Sequence, residues 1–571
     1  MSKNPPSSRR QFLGRVGSAT AATIAAGTIG FEPLMGALGT GTAKAQDGEK
    51  GQDPEGSISP RATQAYNLRV AAALAERDLP EPVQTPNSDE TLYANKIGSY
   101  SKGLPHNNLG EVEVSAYNAM VNAMNTGVPA DFEAIPLGAG SPALQRKLVN
   151  PQSGLAFDME GTDSHHLAIP PAPAFNSAWQ AGEIGENYWM AVLRDVPFAN
   201  YATDPLVAQA CTDLSNFSDF RGPKIGGQVT PGTLFRGLTP GDLVGPYISQ
   251  FLYKNVPFGA TGFSNRMYTL LPGVDYLTNY NDWLEIQRGS NNVGQPLFDQ
   301  VPRYVRNGRD LAQWVHVDVL FQAYFQAMLI LLQPPNPSDP ISGGGIGATF
   351  DAGNPYLSLL TQDAFGTFGG PHVATMLCEP STRALKGIWY QKWGVHRRLR
   401  PEAMAGRIHN HLTGAASYPI HADILNSTVL SRLKRIHRSF LLPMVFPEGS
   451  PMHPSYGAGH ATVAGACTTF LKAFFDESFV ISNPVVPDAS GANLVPYSGP
   501  PLTVGNELNK LAANVAIGRN HAGVHYRTDY TESIKLGEAI TISMLRDQKS
   551  CYNEPFTGFS LTKFDGTTIV I

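Results

Sequence analysis

The sequence predicts a mainly α-helical protein wrapped in long loops, and three observations carry that expectation. Apolar residues recur at helical spacing over several long segments, whereas alternating strand patterns are sparse. Glycine and proline are abundant, 57 and 45 of 571 residues, while charged residues make up only 16 %, a balance that suits many turns on a compact body. A hydrophobic content of 42 % suffices for a sizeable core, and the length allows one large domain or several ordinary ones. The formal charge of −5 excludes a basic nucleic-acid scaffold.

The first 45 residues are expected to lie outside the fold. Ser8, Arg9, Arg10, Gln11, Phe12 and Leu13 lead into a weakly apolar run from Val16 to Gly36, rich in Ala, Gly and Thr. This reads as a twin-arginine export signal, cut before Gln46 at the small residues Ala43 and Ala45. Glu32 and Pro33 interrupt the run, which argues against a membrane anchor. An exported protein, periplasmic or extracellular and without a membrane span, is the expectation. Residues 46–60 are polar and rich in Gly, Pro, Asp and Ser, and read as a flexible lead. Residues 61–300 read as an N-terminal helical and loop region, and 301–571 as a C-terminal helical region.

Helical spacing is first visible in Ala62, Tyr66, Val70 and Ala73, and again over residues 111–125. The strongest stripe starts near Asp310, where Trp314, Val317, Leu320, Phe321, Tyr324, Phe325, Met328, Leu331 and Leu332 share one face until Pro334 and Pro335 stop it; one core helix is predicted there. Residues 460–476 place Val463, Cys467, Phe470, Leu471 and Phe474 on a stripe, and 506–519 do so with Leu508, Leu511, Ala512, Val515 and Ala516. His460 then stands at a helix N-terminus, where free N–H groups and the dipole favour an anion. The intervals 130–175, 218–302 and 333–372 are long and turn-rich. The four cysteines, Cys211, Cys378, Cys467 and Cys551, form no close pair with zinc or redox spacing, so thiolate metal binding and any particular disulfide are not expected.

Three clusters in the last third combine cations or histidines with glycines that let backbone N–H groups approach a ligand. They are residues 392–401 (KWGVHRRLRP), 453–461 (HPSYGAGHA) and 518–529 (GRNHAGVHYRTD). Lys392, Arg400 and Arg519 supply positive charge, and His460 and His525 supply imidazoles. Such a set neutralises a multiply charged oxyanion, and phosphate and vanadate both fit.

In this order and spacing the clusters resemble the active site of the vanadium-dependent haloperoxidases and of the related type 2 phosphatidic acid phosphatases. Seven residues between Lys392 and Arg400, followed by Pro401, resemble the algal and bacterial bromoperoxidases, as does His453 seven residues before His460. Arg519 and His525, six apart, complete the pattern, and the likeness in helical character runs roughly from residue 300 to 545. The resemblance implies an all-α fold of two helix bundles with long loops, the vanadate site lying in the C-terminal one, and a homo-oligomer, a dimer or larger. It implies that His525 binds vanadium, that Lys392, Arg400, Arg519 and the Gly459 N–H hold the vanadate oxygens, and that His460 is the acid/base. It further implies that Lys392 polarises bound hydrogen peroxide, that halide attacks it, and that a hypohalous-acid equivalent leaves to halogenate small organic acceptors. His453 and Trp389 would border the halide, and His453, where chloride-oxidising relatives carry an aromatic residue, implies bromide or iodide.

One position departs from the family: Ala458 stands where most relatives have Ser, removing a hydroxyl from the oxyanion. Ser455 is not expected to replace it. His396, His409, His411, His421, His437 and His521 read as structural, Arg397 and Arg398 as a solvated helix face, and Asp529, one turn after His525, as an orienting group or cation partner. Two other functions are compatible with the same pocket: an acid phosphatase with His525 as nucleophile and His460 as acid, and an oxyanion-binding protein without turnover.

Overall fold

Helices supply the framework in the computed structural model, which describes residues 61–139, 144–291, 294–336 and 344–571. The export signal and the lead expected over residues 1–60 lie outside the described residues. In chain order the helices that matter here are α1 (Arg61–Arg77), α2 (Val114–Thr126), α3 (Ala178–Leu193), α4 (Pro205–Ser215), α5 (Gly308–Trp314) and α6 (Gln322–Leu332). They continue with α7 (Cys378–Trp389), α8 (Pro401–Thr413), α9 (Gly459–Phe474), α10 (Val504–His521) and α11 (Arg527–Lys549). Strands among the described residues occur as four antiparallel two-stranded sheets, such as Val256–Phe258 with Thr261–Phe263 and Val485–Pro487 with Leu494–Pro496. The mainly α expectation holds, and residues 62–571 pack as one unit.

Local chemistry sets the helix ends. Ser177 caps α3 by accepting from Gln180 N at 3.1 Å. Asp204 caps α4 ahead of Pro205, a residue suited to the first turn because its missing N–H has no intrahelical partner there. Gly127 and Gly414 end α2 and α8 in the left-handed conformation, which glycine adopts without steric cost.

The core centres on α9, which packs against α11, α7 and α10. Its expected stripe, Val463, Cys467, Phe470, Leu471 and Phe474, is buried, but so is nearly every other residue of the helix. The polar side chains on the remaining faces are satisfied locally: Thr462 and Thr468 donate to the carbonyls of Ala458 (2.9 Å) and Ala464 (2.6 Å), and Lys472 donates to Thr562 O at 2.6 Å. Two glycines let α9 and α11 approach backbone to backbone. A Cβ at Gly465 would lie 2.0 Å from Ile534 O, and one at Gly537 would lie 2.0 Å from Thr462 O.

Two expectations are corrected. The helix foreseen from Asp310 to Leu332 is two helices, α5 and α6, separated by residues 315–321. Val317 and Val319 are 56 % and 51 % exposed there, so Val317 does not belong to the inward stripe. Arg519 Nη1 donates to Val315 O at 3.0 Å, taking a carbonyl that a continuous helix would use itself. Further upstream, α1 forms as foreseen, yet none of its residues is buried and Tyr66 is 66 % exposed; among the described residues, its apolar stripe is covered only in part, at Val70.

The Gly465 and Gly537 contacts predict the sign of a substitution. Alanine is the better helix former by about 1 kcal/mol, but Gly465→Ala or Gly537→Ala must push α9 from α11, so each is expected to lower stability by about 1–3 kcal/mol. Thermal unfolding of the two variants measures this; a raised melting temperature would contradict the packing described.

Candidate active site

Four chain segments converge on one buried cluster of cations and imidazoles. Helix α7 continues into a π-helical turn, Tyr390–His396, which carries Lys392 and is closed by Arg397 in the left-handed conformation. Such wide turns recur at functional sites. Arg400 stands immediately before α8, held there by Pro401 at its first position. Residues 453–458 lead into α9, whose first turn carries Gly459 and His460. Arg519 lies in the last turn of α10; Gly523, at φ 81° and against the Met444 sulfur, then turns the chain so that His525 faces back into the cluster.

Arg400 ties these segments together. Its Nε donates to His453 O at 2.8 Å, Nη1 to Val524 O at 2.7 Å, and Nη2 to His453 Nδ1 at 2.9 Å. Arg400 Nη1 also lies 3.1 Å from His525 Nε2. On the other side of that ring, His525 Nδ1 meets Asp529 Oδ2 at 2.8 Å. A carboxylate only accepts and a guanidinium only donates, so Nδ1 carries the proton and Nε2 presents a lone pair to the cluster. The loop is pinned from behind by Asn187 Nδ2, which donates to His525 O at 2.9 Å.

Lys392 Nζ donates to the neutral carbonyls of Pro454 (2.8 Å) and Ser455 (3.2 Å) and sits 5.6 Å from the centre of the Trp389 ring. Trp389 also packs on His453, with ring centroids 4.8 Å apart, and reaches to 3.0 Å of a Cβ built on Gly459, which is why that position suits glycine. At the start of α9, the first intrahelical bond is Thr462 N to Ala458 O, so the N–H groups of Gly459, His460 and Ala461 have no acceptor within the helix. The Ala458 N–H is taken by Ser533 Oγ at 2.9 Å, and its methyl puts no hydroxyl at the cap.

The electrostatics are those of a site short of negative charge. Burial, then Arg400 and Arg519, push the Lys392 amine well below its ordinary value against the pull of Asp529. Arg400 falls to about 10, chiefly through burial, and burial lowers Arg519 as well. Burial followed by Arg400 keeps His525 well below the usual imidazole range, and burial followed by Lys392 does so for His453. The Nε of Arg519 is buried without a hydrogen-bond partner. Three close cations, an imidazole lone pair, free helix amides and an unpaired guanidinium N–H are the donor set that a multiply charged oxyanion such as vanadate demands.

All seven residues singled out from the sequence, together with Trp389, thus lie in or against this cluster. Others were missed. Asp318, in the break between α5 and α6, lies 3.1 Å from His460 Nε2; burial lowers the His460 pKa and Asp318 works to raise it. Its place in a helical stripe concealed it. Arg398 is corrected outright: it is buried, pairs with Asp529 Oδ1 at 2.9 Å and Glu183 Oε2 at 2.7 Å, and lies over the Tyr526 ring at 3.9 Å. Two buried carboxylates require a cation there. Arg397 is likewise largely covered and pairs with Glu90 at 2.7 Å. Ser455 donates to Asp529 Oδ2 at 2.5 Å, in keeping with a place behind the oxyanion shell. Burial works to raise Asp529, but Arg398, His525 and Ser455 hold it below the usual carboxylate range.

The chain is similar to known proteins over most of its length. A family profile described as the VCPO second helical-bundle domain matches residues 421–554. The vanadium-dependent bromoperoxidase of Corallina pilulifera is 36 % identical over 91 % of this chain and 100 % of its own. That of Ascophyllum nodosum is 35 % identical over 89 % of this chain and 92 % of its own. The solved homohexameric structure of the second vanadate-dependent bromoperoxidase from Ascophyllum nodosum superposes with a TM-score of 0.83, at 30 % identity, over 91 % of this chain and 94 % of that one.

The depressed Lys392 pKa has a thermodynamic consequence. A bound anion favours the charged amine, so binding takes up protons at any pH where the free amine is partly neutral, and affinity falls as pH rises through the lowered Lys392 value. Calorimetric titration with sulfate, which stays dianionic throughout, is expected to show proton uptake and weaker binding at higher pH, with the pH dependence much reduced in Lys392→Met. Equal affinity across the range would contradict the charge state assigned to the site.

Proposed function

The chain belongs to the vanadium-dependent haloperoxidases and is an enzyme of that kind, and on that premise we propose that it uses hydrogen peroxide to oxidise bromide or iodide to a hypohalous-acid equivalent that halogenates small organic acceptors. The observation that carries the reading is His525: its Nδ1 is committed to Asp529 and its Nε2 lone pair faces into a cage of buried cations. Vanadate, when bound, supplies a Lewis-acidic centre that makes peroxide electrophilic without changing oxidation state.

The protein's own part is to hold, orient and move protons. His525 Nε2 would be the ligand to the metal, fixed in tautomer by Asp529, which Arg398 keeps ionised. Lys392, Arg400, Arg519 and the Gly459 N–H would hold its negative oxygens, with Lys392 placed to draw charge from peroxide. His460 would exchange protons through Nδ1, the ring nitrogen left by its bond to Asp318, as a general acid/base. His453 and Trp389 wall the side on which halide arrives, and an imidazole instead of a carbocyclic ring at 453 supports bromide and iodide over chloride. The hexamer named for the Ascophyllum relative supports an oligomer here too. Arg9 and Arg10, with the apolar run behind them, support twin-arginine export.

After vanadate loading, peroxide-dependent oxidation of bromide is expected, with loss of most activity in His525→Ala and on vanadate removal. Activity indifferent to both, or phosphate release from an aryl ester far outpacing halide oxidation, would overturn the assignment; the latter result would favour the phosphatase chemistry.

Ala458 leaves the oxyanion one hydroxyl short. A charge-assisted hydrogen bond contributes about 1.5–3 kcal/mol, so Ala458→Ser is expected to tighten vanadate binding about tenfold or more, as read by equilibrium dialysis. Unchanged or weaker retention would show that the position does not face the anion.

A further inference from the structure

We infer that Glu81, His165 and His166 form a second metal site, suited to a borderline divalent transition ion of the zinc class, which fastens α1 to the body of the protein. One ligand-capable atom from each of the three lies within 4.8 Å of the others, the one such group found among the described residues. The two imidazoles have their tautomers already set for ligation. His165 Nδ1 donates to Asp163 Oδ1 at 2.8 Å, and His166 Nδ1 donates to Glu76 Oε1 at 2.8 Å. Each ring therefore has its proton fixed on Nδ1 by a carboxylate and its Nε2 lone pair left over, the arrangement by which proteins orient metal-binding histidines. The rings stack on one another, 3.9 Å between centroids and 37° between planes, and they spread as an ion enters, since two imidazoles on one tetrahedral ion hold their centroids about 5 Å apart.

Two imidazoles and one carboxylate favour zinc, copper or nickel over calcium or magnesium, which take all-oxygen shells. Tetrahedral bonds of about 2.0–2.1 Å place donors about 3.4 Å apart, so donors that lie within 4.8 Å of one another must close by up to about 1.4 Å. Glu81 is exposed and free to make that adjustment, and water completes the fourth position.

The site also accounts for how α1 is retained. No residue of that helix is fully buried, and hydrogen bonds hold its end: Glu76 Oε1 accepts from Asp163 N at 2.7 Å as well as from His166. Glu81 follows α1 in the chain, so an ion bridging Glu81 to His165 and His166 closes a loop around that attachment. The next residue, Leu167, accepts from Gln391 Nε2 at 2.8 Å, linking this loop to the turn that carries Lys392.

The test uses untagged, vanadate-loaded protein passed over a chelating resin, with Glu81→Gln/His165→Asn as the comparison; Glu76 and His166 are left intact so that the polar attachment survives. Circular dichroism and melting temperature establish that the variant is folded. Calorimetric titration with Zn2+ is expected to show one more tight equivalent in the natural protein than in the variant, and Co2+ to give visible d–d absorption that the variant lacks. Ca2+ in excess is expected not to displace Zn2+. Zn2+ is expected to slow proteolytic cleavage between residues 61 and 81 in the natural protein alone. Equal zinc stoichiometry and affinity in the two proteins, or displacement by Ca2+, would overturn the site, and zinc uptake without change in cleavage would overturn its fastening role.

Discussion

Like charge gathered in a buried space is the constraint around which this protein is organised. Lys392, Arg400 and Arg519 lie near enough to disfavour one another's charged forms, and burial of unneutralised cations costs several kcal/mol apiece. Such a cluster persists only when surrounding structure holds it, and the core does so. Arg400 is fastened to two carbonyls and a histidine, Lys392 to two carbonyls, and Arg519 to Val315 O. These are neutral acceptors, so they fix geometry while leaving positive charge uncancelled for a ligand.

Carboxylates are present, but they stand one layer back. Asp529 is neutralised by Arg398 and turned toward His525 Nδ1, and Glu183 completes the pairing of Arg398 while accepting from the Thr528 N–H at 2.6 Å. The start of α11 is thereby bolted to α3, and with it the ring that presents Nε2 to the oxyanion. The close packing of α9 on α11 through Gly465 and Gly537 serves the same end, because His460 and the free amides sit at the start of one helix and His525 just before the other. Helix contact, tautomer and anion pocket are parts of one arrangement.

The residues legible from sequence are those whose chemistry shows locally. Pro401 marks the end of a segment and so distinguishes Arg400 from its neighbours; Gly459 and His460 announce a helix start; Arg519 and His525 flank a glycine-bearing turn. Stripes located α9 and α10 closely, but could not reveal that both are buried on every face, since Thr462, Thr468 and Lys472 find partners through the fold. Arg398 looked like one more surface cation because Glu183 lies 215 positions away in the chain. Asp318 was hidden for a related reason: a helical stripe runs through it, and the carbonyl that Arg519 takes from Val315 accompanies a break in the helix just before it. Long-range partners decide such positions, and spacing does not record them.

A crystal structure of the vanadate-loaded protein bears most directly on the central claim. The account predicts vanadium bonded to His525 Nε2, with Lys392, Arg400, Arg519 and the Gly459 N–H around its oxygens and the His525–Asp529 bond intact. Vanadium bound to another side chain, or an oxyanion held outside this group of cations, would contradict it.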